Sequence, residues 1–487
     1  MQLSQLLTNS GSTDYRLSAL HDAAALSTRL SIQNIVYDSR RVKPGDLYVA
    51  VSGSHVDGHA FIEQALAQGA HAIVCERLSD TAPLFDRYPQ CCFIQTPQSP
   101  RLLAALSAAF YGQPAQHMHM LGITGTNGKT TIAWLVSRLL NALQSPTAWI
   151  GTLGAAFGET TYPGAYTTPF PPELQQLLHT LHQAGAKQVV MECSSHALVQ
   201  ERLGSIPFRV AGFSNLTQDH LDYHGTLENY GQAKGLLFTK RLAPGGSAVL
   251  NADDPWSATY RDLINARSTD HSIVTYGCNN DSADFLAKDI VESPEGTQFT
   301  LHTANSTHAV QSPLTGRFNV YNLLTAIAMT HALGFELSRI LSHVPGLTSV
   351  PGRLERVSPN GHPFGVYVDY AHTPDSLENV LHTLRHFTTG KLHVVVGCGG
   401  NRDRGKRPLM AAIAEQLADV AIFTADNPRK EDPEAILADM RAGLKHPENT
   451  QTIADRASAI AAAIAAAGPG DQVLIAGKGH ETYQDRK

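Results

Sequence analysis

Apolar residues recur at positions 132, 135, 136, 139, 140 and 143, three and four apart, which is the period of a helix with one buried face. Just before it, "MHMLGIT" (118–124) is a short apolar run without that period and reads as a buried strand. Further apolar runs follow at "KQVVME" (187–192), "VAGFSNL" (210–216) and "SAVLNAD" (247–253), separated by helical periods. This order predicts a parallel sheet covered by helices. Residues 283–312 alternate in a Thr-rich pattern and are expected to be antiparallel strands, and "VYNLLTAIAMTHALG" (320–334) a helix stopped by Gly334.

The flanking regions repeat the theme on a smaller scale. Near the start, "IQNIVYDSR", "GDLYVAVSG" and "HAIVCE" are expected strands and "GHAFIEQALAQG" a helix, the unit ending near "TPQSPR" (96–101). From "GLTSVPGRLERV" (346–357) onward, "FGVYVDYA", "LHVVVGCGG", "DVAIFTAD" and "QVLIAGKG" are strands of a second parallel unit. The expected fold is α/β in three domains: a small N-terminal α/β domain (1–98), a central P-loop parallel-sheet domain (99–346) and a C-terminal Rossmann-like domain (347–487).

Composition narrows the function. With 487 residues, 43% hydrophobic and 16% charged, the chain has the make-up of a soluble globular protein. A net charge of −6 argues against nucleic acid or anionic membrane as a partner. Six scattered cysteines, Cys91 and Cys92 adjacent and no C-x-x-C, argue against disulfide scaffolding and structural zinc. The N-terminus lacks a basic region followed by an apolar stretch, and "ASAIAAAIAAAG" is too short to span a membrane, so a cytoplasmic location is expected.

The strongest chemical signal is "LGITGTNGKTT" (121–131), between a strand and a helix. The strict P-loop pattern fails, because Ile123 stands at its first Gly position. Its physics remains: Gly125 and Gly128 let backbone N–H groups turn toward an anion, Lys129 reaches phosphates, and Thr130 offers a hydroxyl to Mg²⁺. Glu192 ends a neighbouring strand, and "SNLTQDHLDYHG" places Asp219, His220 and Asp222 after another, which suits a hard cation near the phosphates. Helix capping is the plainer reading of each residue alone. Lys234, on composition alone, is a solvated surface lysine. In "TADNPRKEDP" (424–433), Asp426, Asn427 and Arg429 around the stiff Pro428 suit a ligand carrying both charge signs, against the plainer reading of a turn with surface charges.

Nine blocks occur in order: "GITGTNGKTT", "MECSSHALVQER", "NLTQDHLDYHG", "LTGRFNVYNLLTAIA", "PGRLERV", "VDYAHTPD", "GCGGNRDRGKRPLM", "DNPR" and "AGKGHE". Together they resemble the Mur ligases, over nearly the whole chain. The resemblance implies an ATP- and Mg²⁺-dependent amide ligase acting, as a monomer, on UDP-N-acetylmuramoyl-L-alanyl-D-glutamate and meso-diaminopimelate. It assigns ATP to Gly125, Thr126, Asn127, Gly128, Lys129, Thr130, Thr131, Asn319, Arg353 and Asp369. It assigns the metal to Thr130, Glu192, His220 and a carbamylated Lys234, and catalysis to Lys129, Lys234, His220 and Glu192. The uridine-nucleotide substrate falls to Tyr37, Ser39, Ser54, His55, Val56, Thr167, Thr168, Ser194, Gln200 and Arg202. Family members usually carry Asn before the Thr pair; this chain has Tyr166.

In this family D-N-P-R marks the diaminopimelate-adding enzymes. Arg429 is then expected to fork onto the distal carboxylate that lysine lacks, with Asp426 and Asn427 accepting from the distal ammonium. By position Pro428, Arg402, Gly477 and Glu481 join that pocket. His372 and Glu192 are candidates for the proton of the attacking amine. Folylpolyglutamate synthetase and a nucleotide-dependent switch without turnover are the rival readings. The chain stops soon after Glu481, where relatives usually run a little further: either the protein is trimmed or a last segment lies beyond this sequence.

Overall fold

The computed structural model describes residues 1–487 except 21, 54–55, 78–83, 269, 294–295, 359–361, 482 and 486–487. Its described strands form three sheets. The first holds Ile35–Val36, Leu47–Val49, Ala72–Cys75 and Cys92–Gln95 in parallel, with Arg16–Ser18 antiparallel at one edge. The central sheet has eleven strands. Its parallel heart runs Thr147–Gly151, Gln188–Glu192, His119–Thr124, Phe208–Phe213, Leu242–Asn251, Ser272–Gly277, and both its edges are antiparallel. The third sheet has Gln472–Ala476 at its middle, parallel to Gly365–Asp369 and Leu392–Val396.

The helix expected from residue 132 spans Lys129–Ala142 and buries Ile132, Leu135, Val136, Leu139 and Leu140 against the central sheet. The helix Arg317–Ala332 packs on the same face and is buried nearly all round, which removes any amphipathic signal. The expected antiparallel region is present as Phe285–Ser293, Gly296–His302 and Thr307–Ser312.

Three features differ from the sequence expectation. The segment expected as one helix over 58–69 begins as a 3-10 turn, Gly58–Phe61, and becomes α-helical at Ile62–Ala67. Strands Thr147–Gly151 and Ser272–Gly277 are additional. The helix Ser99–Phe110 gives Leu102, Leu103, Leu106 and Ala109 to the core of the first sheet, alongside Leu3, Leu47 and Ile94. The expected division at residue 98 assigns this helix to the central unit, and its apolar face shares the core of the first sheet. No helix among the described residues is long and apolar enough to cross a membrane.

Candidate active site

Strands Gln188–Glu192, His119–Thr124 and Phe208–Phe213 are parallel neighbours, with Glu192 opposite Ile123 and Phe213 opposite Thr124. Their carboxyl ends therefore open on one crevice, where ligands of open α/β sheets bind. The loop after Thr124 is held by the next strand's end: Thr126 N donates to Asn215 O at 2.8 Å, Asn127 N to Asn215 Oδ1 at 2.9 Å, and Ser214 Oγ to Asn127 O at 2.6 Å. Gly128, at φ +86°, turns the chain into the helix, and a Cβ there would run into Asn322 Oδ1. Gly128→Ala is therefore expected to weaken ATP binding at least about tenfold, through left-handed strain plus that clash. Calorimetric titration with ATP checks this, and an unchanged Kd would count against the assigned loop.

Lys129 Nζ donates to Gly125 O at 3.0 Å and Thr126 O at 2.9 Å. Burial lowers its pKa, and the charges of Glu192 and Asp219 pull it back up. Glu192 is buried, and Thr152 supplies its donors: N at 2.9 Å to Oε1 and Oγ1 at 3.2 Å to Oε2. Lys234, from the helix Leu227–Leu236, is buried beneath the loop rather than solvated, donating to Gly125 O at 2.7 Å with its Nζ 4.1 Å from the Tyr230 ring centre. Burial first, then the nearby Lys129 charge, drives its pKa well down. His220, at φ +55°, faces the crevice; burial lowers it to about 3 against the pull of Asp219.

Thr130, Glu192 and His220 line the same cavity, and a hydroxyl, a carboxylate and an imidazole are donors a divalent cation accepts. Lys234 is not among the residues lining the cavity, and its lowered pKa favours a neutral amine, which would become an anionic oxygen donor only on taking up CO₂ as a carbamate.

On the other side of the crevice, Arg202 donates to Thr168 O at 2.9 Å and to Gln200 Oε1, and its guanidinium carbon lies 3.8 Å from the Phe170 ring centre. Phe170 stacks on Tyr37 of the N-terminal unit at 4.9 Å and 22°. Phe170 was not anticipated; its signal was its place two residues after the Thr pair. Tyr166 closes on Phe170 edge-on at 5.1 Å, so it extends an aromatic stack instead of offering an amide. Thr168 and Ser194 pair through their hydroxyls at 3.3 Å, and Thr167 reaches Thr152 at 3.1 Å. Ser39 is buried against Gln64 and Val56 is exposed, while Ser54 and His55 lie outside the described residues.

The third sheet's elements close the crevice. Arg353 Nη2 donates to Thr130 Oγ1 at 3.1 Å, and Asn127 Nδ2 donates to Asp375 Oδ2 at 2.7 Å. Lys406 Nζ sits 3.5 Å from Asp219 Oδ1, both nearly buried. Asp369 is spent on backbone: its Oδ1 accepts Ala371 N at 2.7 Å and its Oδ2 accepts Leu354 N. His372 Nδ1 donates to Tyr370 O at 2.8 Å, and burial lowers its pKa to about 4. Asn319 stands one layer back, its Oδ1 receiving Asn322 Nδ2 at 3.0 Å, and Asn322 lines the cavity in its stead. Asn322 follows Asn319 by three positions on one helix, which was the available signal.

The cavity so enclosed measures about 820 Å³ and runs from the phosphate loop to the D-N-P-R segment. Asp426 and Asn427 are buried there, and burial raises the Asp426 carboxyl above its usual range. Arg429, at φ +53°, donates to two carbonyls, Gly400 O at 2.8 Å and Asn427 O at 3.5 Å, and pairs with no carboxylate among the described residues. Gly477, at φ +109°, leaves room that a Cβ would fill at 2.8 Å from Asp426 Oδ2. Arg402 and Glu481 line the same end. Asn427 Oδ1 already accepts Lys478 Nζ at 3.0 Å and Asp485 N at 2.8 Å, so it has no acceptor left for a ligand ammonium, contrary to expectation.

Family models match three segments in order: the Mur ligase family catalytic domain over 31–111, the Mur ligase middle domain over 123–330, and the Mur ligase glutamate ligase domain over 352–479. The chain is 48% identical to the UDP-N-acetylmuramoyl-L-alanyl-D-glutamate–2,6-diaminopimelate ligase of Geobacillus thermodenitrificans, across 92% of this chain and 90% of that relative. A solved structure of a protein with the same name is 36% identical with a TM-score of 0.67, covering 94% of this chain and 92% of the other. The folylpolyglutamate synthase of Mycobacterium tuberculosis, solved with ADP and AMPPCP, shares the fold at 20% identity and a TM-score of 0.63, over 77% of this chain and 92% of the other.

Proposed function

The chain belongs to the Mur ligase family, and from that premise we propose that it joins meso-2,6-diaminopimelate to the D-Glu γ-carboxylate of UDP-N-acetylmuramoyl-L-alanyl-D-glutamate, with conversion of ATP to ADP and phosphate. The observation that supports this reading is Arg429, a guanidinium with no carboxylate partner among the described residues, in one cavity with the glycine-rich loop. Diaminopimelate brings the carboxylate that Arg429 lacks, and lysine does not.

The chemistry proceeds in two steps. The γ-carboxylate oxygen attacks the γ-phosphorus of ATP, the bond to the β-phosphate oxygen breaks, and an acyl phosphate forms. The amine of diaminopimelate then attacks the acyl carbon, inorganic phosphate leaves, and the amine proton passes to a base. Lys129 and the loop amides stabilise charge on the transferring phosphoryl. Mg²⁺ would be held by Thr130, Glu192, His220 and Lys234 as its carbamate, and would supply further positive charge at the phosphates. Arg202, Gln200, Ser194, Thr167 and Tyr37 hold the nucleotide substrate along the wall between the N-terminal and central units. Contacts such as Arg353 to Thr130 and Lys406 to Asp219 bring the third unit over the loop, and closure keeps water from the acyl phosphate. The protein works as a monomer in the cytoplasm, where these precursors are made.

The deciding experiment is phosphate release with Mg-ATP and UDP-N-acetylmuramoyl-L-Ala-D-Glu, with meso-diaminopimelate or L-lysine as acceptor. Release with diaminopimelate alone is expected; release with lysine would remove the argument from Arg429. Arg429→Ala is expected to raise the KM for diaminopimelate about 100-fold, the cost of leaving the ligand carboxylate without its guanidinium, and to leave that for ATP nearly unchanged. Equal shifts in both constants would place Arg429 outside the acceptor pocket.

A further inference from the structure

Lys478 lies in the turn between Gly477 and Glu481, yet its side chain points behind the cavity wall, 11% exposed. Its Nζ donates to Asn427 Oδ1 at 3.0 Å and to Glu481 Oε2 at 2.8 Å. Asn427 Nδ2 donates to that same Oε2 at 2.8 Å, so the three side chains close a ring. Asn427 Oδ1 is completed by Asp485 N. Every polar atom facing the ring is thereby used. What remains is Glu481 Oε1, which no donor among the described residues reaches, on a side chain that lines the cavity together with Arg429 and Asp426.

We propose that Lys478 is a positioning residue for the acceptor amino acid: it pins Glu481 so that Oε1 receives the distal ammonium, while Arg429 takes the distal carboxylate. The proposal rests on the functional reading above. A glutamate side chain on a turn has three rotatable bonds, and ordering it at the moment of binding costs affinity. Lys478 and Asn427 order it beforehand. They also keep it ionised: burial raises the Glu481 carboxyl, but the bonds from Lys478 and Asn427 outweigh this and hold it below the usual carboxylate range. The ring further explains why the amide oxygen at 427 does not receive the ligand ammonium, since Lys478 and Asp485 already occupy both its acceptor sites.

A lysine three residues before a glutamate can equally be local support for a turn, and the two roles differ in what they discriminate. L-2-Aminopimelate matches diaminopimelate except that it lacks the distal ammonium. In the full-length Lys478→Met variant, kcat/KM for meso-diaminopimelate is expected to fall about 30-fold, the scale of a lost charge-assisted positioning bond, while that for L-2-aminopimelate falls less than about threefold. The KM values for ATP and the nucleotide substrate stay as in the wild type. Glu481→Gln should remove the same preference, and adding Lys478→Met to it should remove little more, as expected of two residues acting as one unit. Equal losses on both amino acids, or additive losses in the double variant, would overturn the proposal. If Lys478→Met gives no cooperative melting transition, Lys478→Gln, which keeps a donor to Asn427 Oδ1 without the charge, is read by the same comparison. Wild-type enzyme that turns over neither amino acid would instead overturn the functional reading on which this one stands.

Discussion

Lys129→Ala is expected to lower ATP-dependent turnover by about 10³-fold or more, the scale of a lost electrostatic clamp on a transferring phosphoryl, with the fold intact. The fold survives because Lys129 bonds only to carbonyls, Gly125 O and Thr126 O, so its removal strands no buried carboxylate. Gly125 O keeps a second donor in Lys234. The activity does not survive, because the half-buried Lys129 at the start of the helix has no substitute when the phosphates arrive. Phosphate release and a melting curve on the same preparation check both halves. Turnover near the wild-type rate would sink the phosphate-loop assignment.

Lys234→Ala is expected to be nearly as damaging, at about 10²-fold or more by loss of a ligand to the cation, and to recover in part with acetate or another small carboxylate. Its Nζ is fully enclosed, with Gly125 O at 2.7 Å and the Tyr230 ring as its surroundings. Burial and the Lys129 charge both disfavour the ammonium. A neutral amine adds to CO₂, its nitrogen forming a bond to carbon and releasing a proton, and the product is an anionic carbamate. Added carboxylate mimics that anion in the shortened variant. Full activity in Lys234→Ala would show that this lysine does no more than fill space under the loop.

Burial of Lys234 shows where reading a chain by itself stops. On its own helix nothing marks it, and a lysine there is by default a surface residue. What buries it is remote in sequence: the loop after Thr124 lies over it, and Gly125 O, more than a hundred residues away, accepts its Nζ at 2.7 Å. Asn319 and Asn427 make the same point. Each carries the residue type its motif demands, but Asn322 and Lys478 consume its hydrogen-bonding groups and leave other atoms facing the ligand.

The elements and the order of the α/β units were legible because they follow from local rules. A helix has a 3.6-residue period, a buried parallel strand is a short apolar run, and a backbone turned to positive φ takes glycine, as at Gly128. The motif blocks likewise carried the family and the acceptor amino acid, since residue types and spacings are themselves sequence. Tertiary structure alone decided which helix covers which sheet, as with Ser99–Phe110 on the first core. It also decided which lysine is buried, which amide oxygen is already taken, and which oxygen of Glu481 is left open. Those outcomes depend on desolvation and, at Lys234 and Asn427, on partners tens to hundreds of residues away, which no local pattern records.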